Sequence, residues 1–556
     1  MARYNQKAVR PATQHVMATT SQTASTATKT FEGAPGFAKD AKTELFLRGA
    51  GAFAGQNKFY ETGDTHDQRM IELARTLAVT EDGWNWLNGF LPWLRGEGNM
   101  RTSALIIAVE SVKARLDAKL ASPRGHTHRA LLDSVMQRAD EPGEMLAYWT
   151  STYGRSVPKP VKRAVADAAQ RLYNEYALLK YDSDAKGYRF GDVLELTHPS
   201  PADSKPWQGD LFRYAIDRRH NRSDIAVPES LRTVQARKAL MEVPVDQRRA
   251  VVVDGQHGMQ RLAGAGMTWE ALAGWLQGPM DADAWKAIIP NMGTMALVRN
   301  LRNFDEAKVD NAVARKVADK IADPDEVKRS RQLPFRYFSA YKNVSSLRWG
   351  QALEEALGHS LANVPSLDGR TLILVDRSPS MFPGYFFSTK NTSDISLADK
   401  AAVFGSALAL RAENPTLVEF GGTSKEVAVP KGGSVLKMVE SFGRSDGTDI
   451  PSAVRSFYRR GHHTRVVIIT DEQTQPGWLS SNMDHYGGSK PVQIDDLIDK
   501  SVPVYMWNLA GYSNGAMQSG TGNRHLMGGL QDSSFRMIPM IEKASASRWP
   551  WESEKK

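Results

Sequence analysis

The sequence contains no cysteine in 556 residues. That absence removes disulfide scaffolds, thiol nucleophiles, iron–sulfur clusters and cysteine zinc sites together, and it suits a reducing, cytoplasmic compartment. Any metal site must use oxygen or histidine ligands. Long apolar runs are also missing: those around Leu105 to Val109 and Val466 to Ile469 fall far short of the roughly 18 residues a membrane-spanning helix needs. With 41% hydrophobic and 24% charged residues, the chain reads as globular, with no membrane partner. Its length exceeds the roughly 250–300 residues at which single cores stop growing. Two or three domains are therefore expected.

Acids are absent before Glu32, a stretch that holds Arg3, Lys7, Arg10 and Lys29. The formal net charge is +9, yet residues 366–556 carry 21 Lys and Arg against 20 Asp and Glu. Residues 1–365 therefore hold +8, half of it in the short tail. A polyanionic partner would have to bind local clusters rather than a uniformly basic surface.

Residues 1–28 are rich in Thr, Ser, Ala and Gln with no apolar period, so a disordered basic tail is expected. An acid-free start of this kind also resembles an organelle transit peptide. From residue 29 to 364 the pattern is helical nearly throughout. Apolar residues fall at helical spacing in Met70 to Ala78, Trp84 to Leu94, Ala104 to Leu120, Ala130 to Met136 and Met145 to Trp149. The breaks carry Asp82-Gly83, Gly96-Glu97-Gly98-Asn99 and Asp140-Glu141-Pro142-Gly143, the turn chemistry of packed helix pairs in a helical solenoid. No strict repeat period is present.

A different grammar begins at Arg370 and marks a second domain over residues 365–545, with 546–556 as a tail. Thr371 to Val375, Leu417 to Phe420, Glu426 to Val429, Arg465 to Thr470 and Val502 to Leu509 read as strands; Leu397 to Ala412, Val435 to Phe442 and Ser452 to Tyr458 read as helices. Alternation with near-continuous apolar strands predicts a doubly wound α/β domain with a mostly parallel sheet. Its ligands belong at the carboxyl ends of the strands.

At the end of the first of these strands stands Asp376-Arg377-Ser378-Pro379-Ser380. Asp376, Ser378 and Ser380 alternate on one tight loop and can converge on a hard cation such as Mg²⁺. Thr448, in Asp446-Gly447-Thr448-Asp449, adds a hydroxyl, and Asp471, after the strand Arg465 to Thr470, adds a second carboxylate. Taken alone, D-x-S-x-S is a common capped turn; joined to the other two segments it reads as a divalent-cation site. Residues 365–545 resemble a von Willebrand factor A domain with its metal-ion-dependent adhesion site. Two carboxylates and three neutral hydroxyls leave the cation under-neutralised and one position open for an incoming acidic group. Pro379 departs from the family, which usually has Gly between the serines, and fixes φ near −65°.

Three other chemistries fit less well. Gly511-Tyr512-Ser513-Asn514-Gly515 matches a nucleophile elbow, but no helix pattern follows and no acid lies between Ser513 and His525. His462-His463 has no third ligand in view, so surface histidines are expected. A phosphatase nucleophile at Asp376 would want an Asp where Ser378 stands.

In the helical region, Gly33-Ala34-Pro35 with Ala38 to Phe46, Gly98-Asn99-Met100-Arg101-Thr102, Phe190 to Pro199, Met295 to Asn303 and Pro334-Phe335-Arg336 resemble segments of the TROVE domain of Ro ribonucleoproteins. Their order and the following adhesion-type domain make the resemblance specific over about residues 29–545. It implies a ring of HEAT-like helical repeats closed by the α/β domain, with no catalytic residues. It also implies small noncoding Y RNA bound outside, single-stranded ends of misfolded RNAs in a central hole, and polynucleotide phosphorylase tethered through Y RNA. Carried over by position, it places His198, Lys180 before Tyr181, and Lys186 at the Y-RNA surface.

Read without the family, Lys159, Lys162, Arg163, Lys180, Lys186 and Arg189 form a basic stretch interrupted by Tyr173, Tyr176, Tyr181 and Tyr188. Phosphate contacts and base stacking need that mixture, although such charges are commonly a solvated helix face. Arg218-Arg219-His220-Asn221-Arg222 and Lys328-Arg329-Ser330-Arg331 are similar clusters. Arg299 and Arg302 either point into a lumen or pair with Asp305 and Glu306. The leading expectation is RNA binding in quality control, processing or decay. A metal-dependent protein–protein scaffold is the rival.

Overall fold

The computed structural model describes residues 27–29, 35–37, 41–51, 63–221, 226–344, 346–382, 396–470, 494–509, 523–528, 534–545, 549 and 551. A two-stranded antiparallel hairpin, β1 (Ala27–Lys29) and β2 (Pro35–Phe37), precedes the helices. The expected tail of residues 1–28 therefore ends inside β1, and the rest of it lies outside the described residues. From Ala41–Gly51 to Gly350–Ser360 the chain is a succession of short helices packed in pairs.

The turn residues explain the helix starts. The Thr80, Thr127, Asn174, Thr268, Asp281, Asp310 and Asp323 side chains each accept an N–H of the first helical turn. Each thereby satisfies one of the donors that a helix N-terminus leaves free. The Asp140-Glu141-Pro142 break places Pro in the first turn of Glu141–Tyr153, where its missing N–H costs nothing.

The second domain is one six-stranded sheet in the order β5-β4-β3-β6-β7-β8. Its strands are β3 (Leu367–Asp376), β4 (Ala412–Phe420), β5 (Ser424–Val427), β6 (Arg465–Thr470), β7 (Val504–Asn508) and β8 (Arg524–Gly528). All neighbours are parallel except β4 and β5. Both faces are covered, which is why the strands read as unbroken apolar runs. Ile373, Val375, Val467, Ile469, Tyr505 and Trp507 join the core that continues into the helical region, while Leu372, Leu374, Val466, Ile468 and Met506 form a separate core with Ile450 and Val454. The chain leaves β3 toward β4 on one side and later returns to β6 on the other. The crevice between β3 and β6 is thus the switch point where ligands of such sheets sit.

Both ends of the helical region rest on this domain. Near its end, Phe335 packs on Phe404 and Phe535 at 6.3 and 5.0 Å between ring centroids, and Ser434 donates to Glu354 at 2.8 Å. At its start, the helix Ala41–Gly51 packs against Ser534–Ser545, and Arg536 donates to the Glu97 carbonyl. The helices therefore close into a ring through the α/β domain.

Candidate RNA interface and metal site

Asp376 is the last residue of β3 and is fully buried. Its Oδ1 accepts the Ser378 N–H at 2.8 Å, and its Oδ2 accepts the Thr470 hydroxyl at 2.5 Å. This geometry fixes the carboxylate at the switch point. The Ser378 and Ser380 hydroxyl oxygens lie 3.1 Å apart. Adjacent oxygens on an octahedral Mg²⁺ with bonds of 2.0–2.1 Å are about 2.9 Å apart, so the two serines can share one cation. Pro379 does not distort the loop, because it opens a short 3₁₀ turn, Pro379–Met381, whose first position suits its fixed φ.

The Thr448 loop is laced to the same edge. Ser445 N–H donates to the Arg377 carbonyl at 3.1 Å, and Asp449 N–H to the Gly421 carbonyl at 2.9 Å. Gly422 is required here, since a Cβ would come within 2.1 Å of the Asp446 carbonyl oxygen. Thr448 itself is nearly buried. Asp471 lies outside the described residues, one position beyond Thr470. Among the described residues no group of three or more His, Asp or Glu is placed to hold a metal.

Sequence reasoning missed Thr470 and Arg377. The Arg377 guanidinium donates to the Gly443 and Ala398 carbonyls at 2.8 and 2.9 Å and faces the rings of Phe382 and Phe442. It thereby ties the Asp376 loop to the loop before Thr448. Burial lowers its pKa, with Asp399 and Glu419 opposing. The one available signal was its place between two expected ligands.

His463 corrects the expectation of two surface histidines. It is buried, stacks on Tyr458, accepts the Arg459 N–H at 3.0 Å and lies 3.4 Å from the Thr416 hydroxyl. Burial, then His462, Arg459 and Arg370, lower its pKa from 6.5 to about 4. The unfolded chain therefore binds this proton first. Stability present above pH 6.5 is expected to fall between pH 6.5 and about 4, by about 2 kcal/mol. Equilibrium unfolding at both ends of that window should show the loss, and His463→Gln should flatten it. Ser513 lies outside the described residues, and His525 is buried against Tyr505 at 4.9 Å.

The basic residues divide into paired and free groups. Lys159, Lys162 and Arg163 lie at i, i+3 and i+4 of the helix Lys159–Leu172, on one side. They make no ion pair with any described residue, because the nearby acid Asp167 is held by Arg129. Lys180 is exposed, with its ammonium 5.3 Å from the Tyr181 ring centroid and 5.9 Å from that of Tyr176. Lys186 is half-buried and makes no ion pair with a described residue. His198 is exposed, in the left-handed region at φ 49°, and ends the helix Phe190–Thr197.

The helices bearing Lys159 and His198 pack together, with Gln170 bonded to the Ser200 carbonyl at 2.8 Å. His198 thus lies toward the far end of Lys159–Leu172, about 14 Å along its axis from Lys159, Lys162 and Arg163. Arg299 and Arg302 are exposed on a separate helix, Thr294–Glu306. Arg302 pairs with Glu306 at 2.9 Å, whereas Asp305 is taken by Arg348 and Trp349. Arg299 has no such partner among the described residues.

Much of the charge in the other clusters that looked basic in sequence is paired, although Lys328 and Arg331 are exposed and make no ion pair with a described residue. Arg189 is buried against Asp182 at 2.8 Å. Arg219 pairs with Asp192 and His220 with Glu195, both at 2.7 Å, while Arg218 reaches Asp182 at 3.5 Å. Arg222 lies outside the described residues. Arg329 pairs with Glu326. Of the four tyrosines, Tyr173 is buried on Phe190 and Tyr181 and Tyr188 are half-buried; Tyr176 is exposed.

Residues 261–358 match the family model of the TROVE domain. The fold is similar to the crystal structure of the Deinococcus radiodurans RO (RSR) protein, with TM-score 0.62 and 16% identity over 91% of this chain and 99% of that one. No curated protein matches the chain by sequence.

Proposed function

We propose that this chain, which carries a TROVE domain and has the fold of a Ro protein, is a cytoplasmic, non-enzymatic RNA-binding protein. Its outer surface would hold a structured noncoding RNA of the Y type, and the hole of the ring would take single-stranded ends of misfolded RNAs. A nuclease such as polynucleotide phosphorylase would be recruited through the bound RNA. The observation that carries the reading is the set of cations at Lys159, Lys162 and Arg163 that make no ion pair with a described residue, with His198 at the end of a helix packed on theirs and Lys180 exposed on the helix that follows in the chain. Free ammonium and guanidinium groups are what a phosphate backbone engages, whereas the paired clusters are already neutralised.

Filter binding to structured small RNAs across a salt series tests this. The triple variant Lys159→Ala, Lys162→Ala, Arg163→Ala should lower the salt slope by about 3 and weaken all such RNAs alike, by about tenfold or more. Absence of salt-dependent binding by the unaltered protein, together with absence of copurifying RNA, would overturn the reading in favour of a protein–protein scaffold.

At the switch point, Asp376, Ser378 and Ser380, with Thr448 and Asp471, would hold a divalent cation, Mg²⁺ by the hardness of the oxygens. When bound, the cation supplies an electrophilic position for an acidic group of a partner. The chain's own contribution is to hold the oxygens in place through Thr470 and Arg377. Asp376→Ala should abolish the bound divalent ion in metal analysis of the purified protein; unchanged metal content would reject the site. RNA affinity should be unaffected.

A further inference from the structure

The last described residues follow the helix Ser534–Ser545 and, like it, rest on the first helices of the ring. Trp549 and Trp551 stack on each other at 5.4 Å between centroids, with planes 8° apart. Together they fill a groove between the helices Ala41–Gly51 and Glu81–Gly96. Trp549 lies 5.5 Å from Phe46 and meets Trp86 edge-on at 5.1 Å. Trp551 meets Trp86 at 5.4 Å, Phe90 at 5.5 Å and Trp93 at 5.7 Å. Phe46 and Phe90 are fully buried, and Trp86 is nearly so.

The floor of the groove is shaped for an indole. Gly89, in the middle of the Glu81–Gly96 helix, would place a Cβ 2.3 Å from Trp551 Nε1. A glycine inside a helix costs about 1 kcal/mol against alanine, and here its missing side chain is the seat of the ring. Edge-on and offset aromatic pairs at these separations are favourable beyond their buried area. Removed from the groove, the two indoles would leave an apolar cleft of the kind that binds peptides.

We propose that this groove is a binding site for a Trp-x-Trp peptide segment, and that its ligand is the chain's own C-terminal Trp549-Pro550-Trp551. Occupied in cis, it fastens the end of the α/β domain to the start of the helical ring beside the Arg536–Glu97 contact. It thereby adds a releasable aromatic latch to the packing of Ala41–Gly51 on Ser534–Ser545 that already joins the ring. This reading stands independently of RNA binding.

Hydrogen exchange by mass spectrometry on full-length protein tests the latch. Trp549→Ala with Trp551→Ala should speed exchange in Ala41–Gly51 and Glu81–Gly96 by about tenfold or more, since burying one large apolar side chain is worth about 1.5–3 kcal/mol. The strands β3 and β6 should keep their protection, which shows that the variant folds. A synthetic peptide of residues 546–556 added in trans should restore slow exchange, and the same peptide with both tryptophans replaced by alanine should not. Gly89→Ala, which keeps every tryptophan, should give the same fast exchange and a red-shifted tryptophan emission, although alanine is the better helix former. Unchanged exchange in either variant, or failure of the tryptophan peptide to restore protection, would overturn the proposal.

Discussion

Glu141→Ala should destabilise the helical ring by about 3–5 kcal/mol, the cost of leaving buried cations without their partner. Glu141 is completely buried. Its Oε1 accepts from Arg95 at 2.7 Å and lies 3.0 Å from Arg101 Nε, and its Oε2 accepts the N–H groups of Gln137 and Arg138 at 2.6 and 3.0 Å. One carboxylate thus ends one turn, opens a helix and neutralises two arginines from separate helices. Arg101 retains Asp140 and Glu144, but among the described residues Arg95 has no other ion pair. The midpoint of the helical-region transition in urea measures the loss, followed by exchange in Glu81–Gly96 and Glu141–Tyr153. The double variant Arg95→Met, Glu141→Leu should recover only the part due to the Arg95 charge, because the N–H groups of Gln137 and Arg138 still lack their acceptor.

The role of Glu141 shows where sequence reading stops. The break Asp140-Glu141-Pro142 was legible as a helix boundary, since proline and acids belong in a first helical turn. That Glu141 also serves Arg95 and Arg101 is a tertiary fact, set by how helices far apart in sequence pack. The same limit governs the basic clusters. Arg218, Arg219 and His220 look like Lys159, Lys162 and Arg163 in one dimension. Only the fold brings Asp182, Asp192 and Glu195 to the first set and diverts Asp167 to Arg129 from the second.

The α/β domain was more readable because both faces of β3 and β6 are covered, which writes continuous apolar runs into the sequence. Strand β4 begins earlier than its apolar stretch, at Ala412, because Ala412 and Asn414 pair with Leu367 and Arg370 of β3 although neither is buried. Strand β8 carries Arg524 and His525 at buried positions and so gave no apolar signal. At the carboxyl end of β3, Asp376, Ser378 and Ser380 were legible as a loop of alternating oxygens. Thr470 was not, because a threonine closing a strand is ordinary until its hydroxyl is seen on Asp376. The tryptophan latch was silent for a related reason: its two residues follow an unpatterned stretch, and their groove was built some 450 residues earlier, a separation no local pattern records.

Gly405→Leu is expected to destabilise the α/β domain by about 3 kcal/mol through overpacking, and to disturb the metal edge with it. The helix Leu397–Arg411 lies against the sheet with Gly405 fully enclosed. A Cβ there would stand 2.5 Å from Val375 Cγ2, 3.5 Å from Ile469 Cδ1 and 3.6 Å from Ile373 Cγ2. Val375 is β-branched and held in one rotamer by a packed strand, so it cannot swing aside cheaply. It also precedes Asp376 directly, and Ile469 precedes Thr470. The clash therefore bears on the two strands whose ends join through the Asp376–Thr470 hydrogen bond. Thermal unfolding should show an earlier transition of the sheet, and a divalent-ion titration should show weakened binding in the protein that remains folded. The RNA binding proposed for Lys159, Lys162 and Arg163 should change little, since those residues lie in the helical region. A variant that lost RNA affinity and kept its ion would contradict the separation of the two sites.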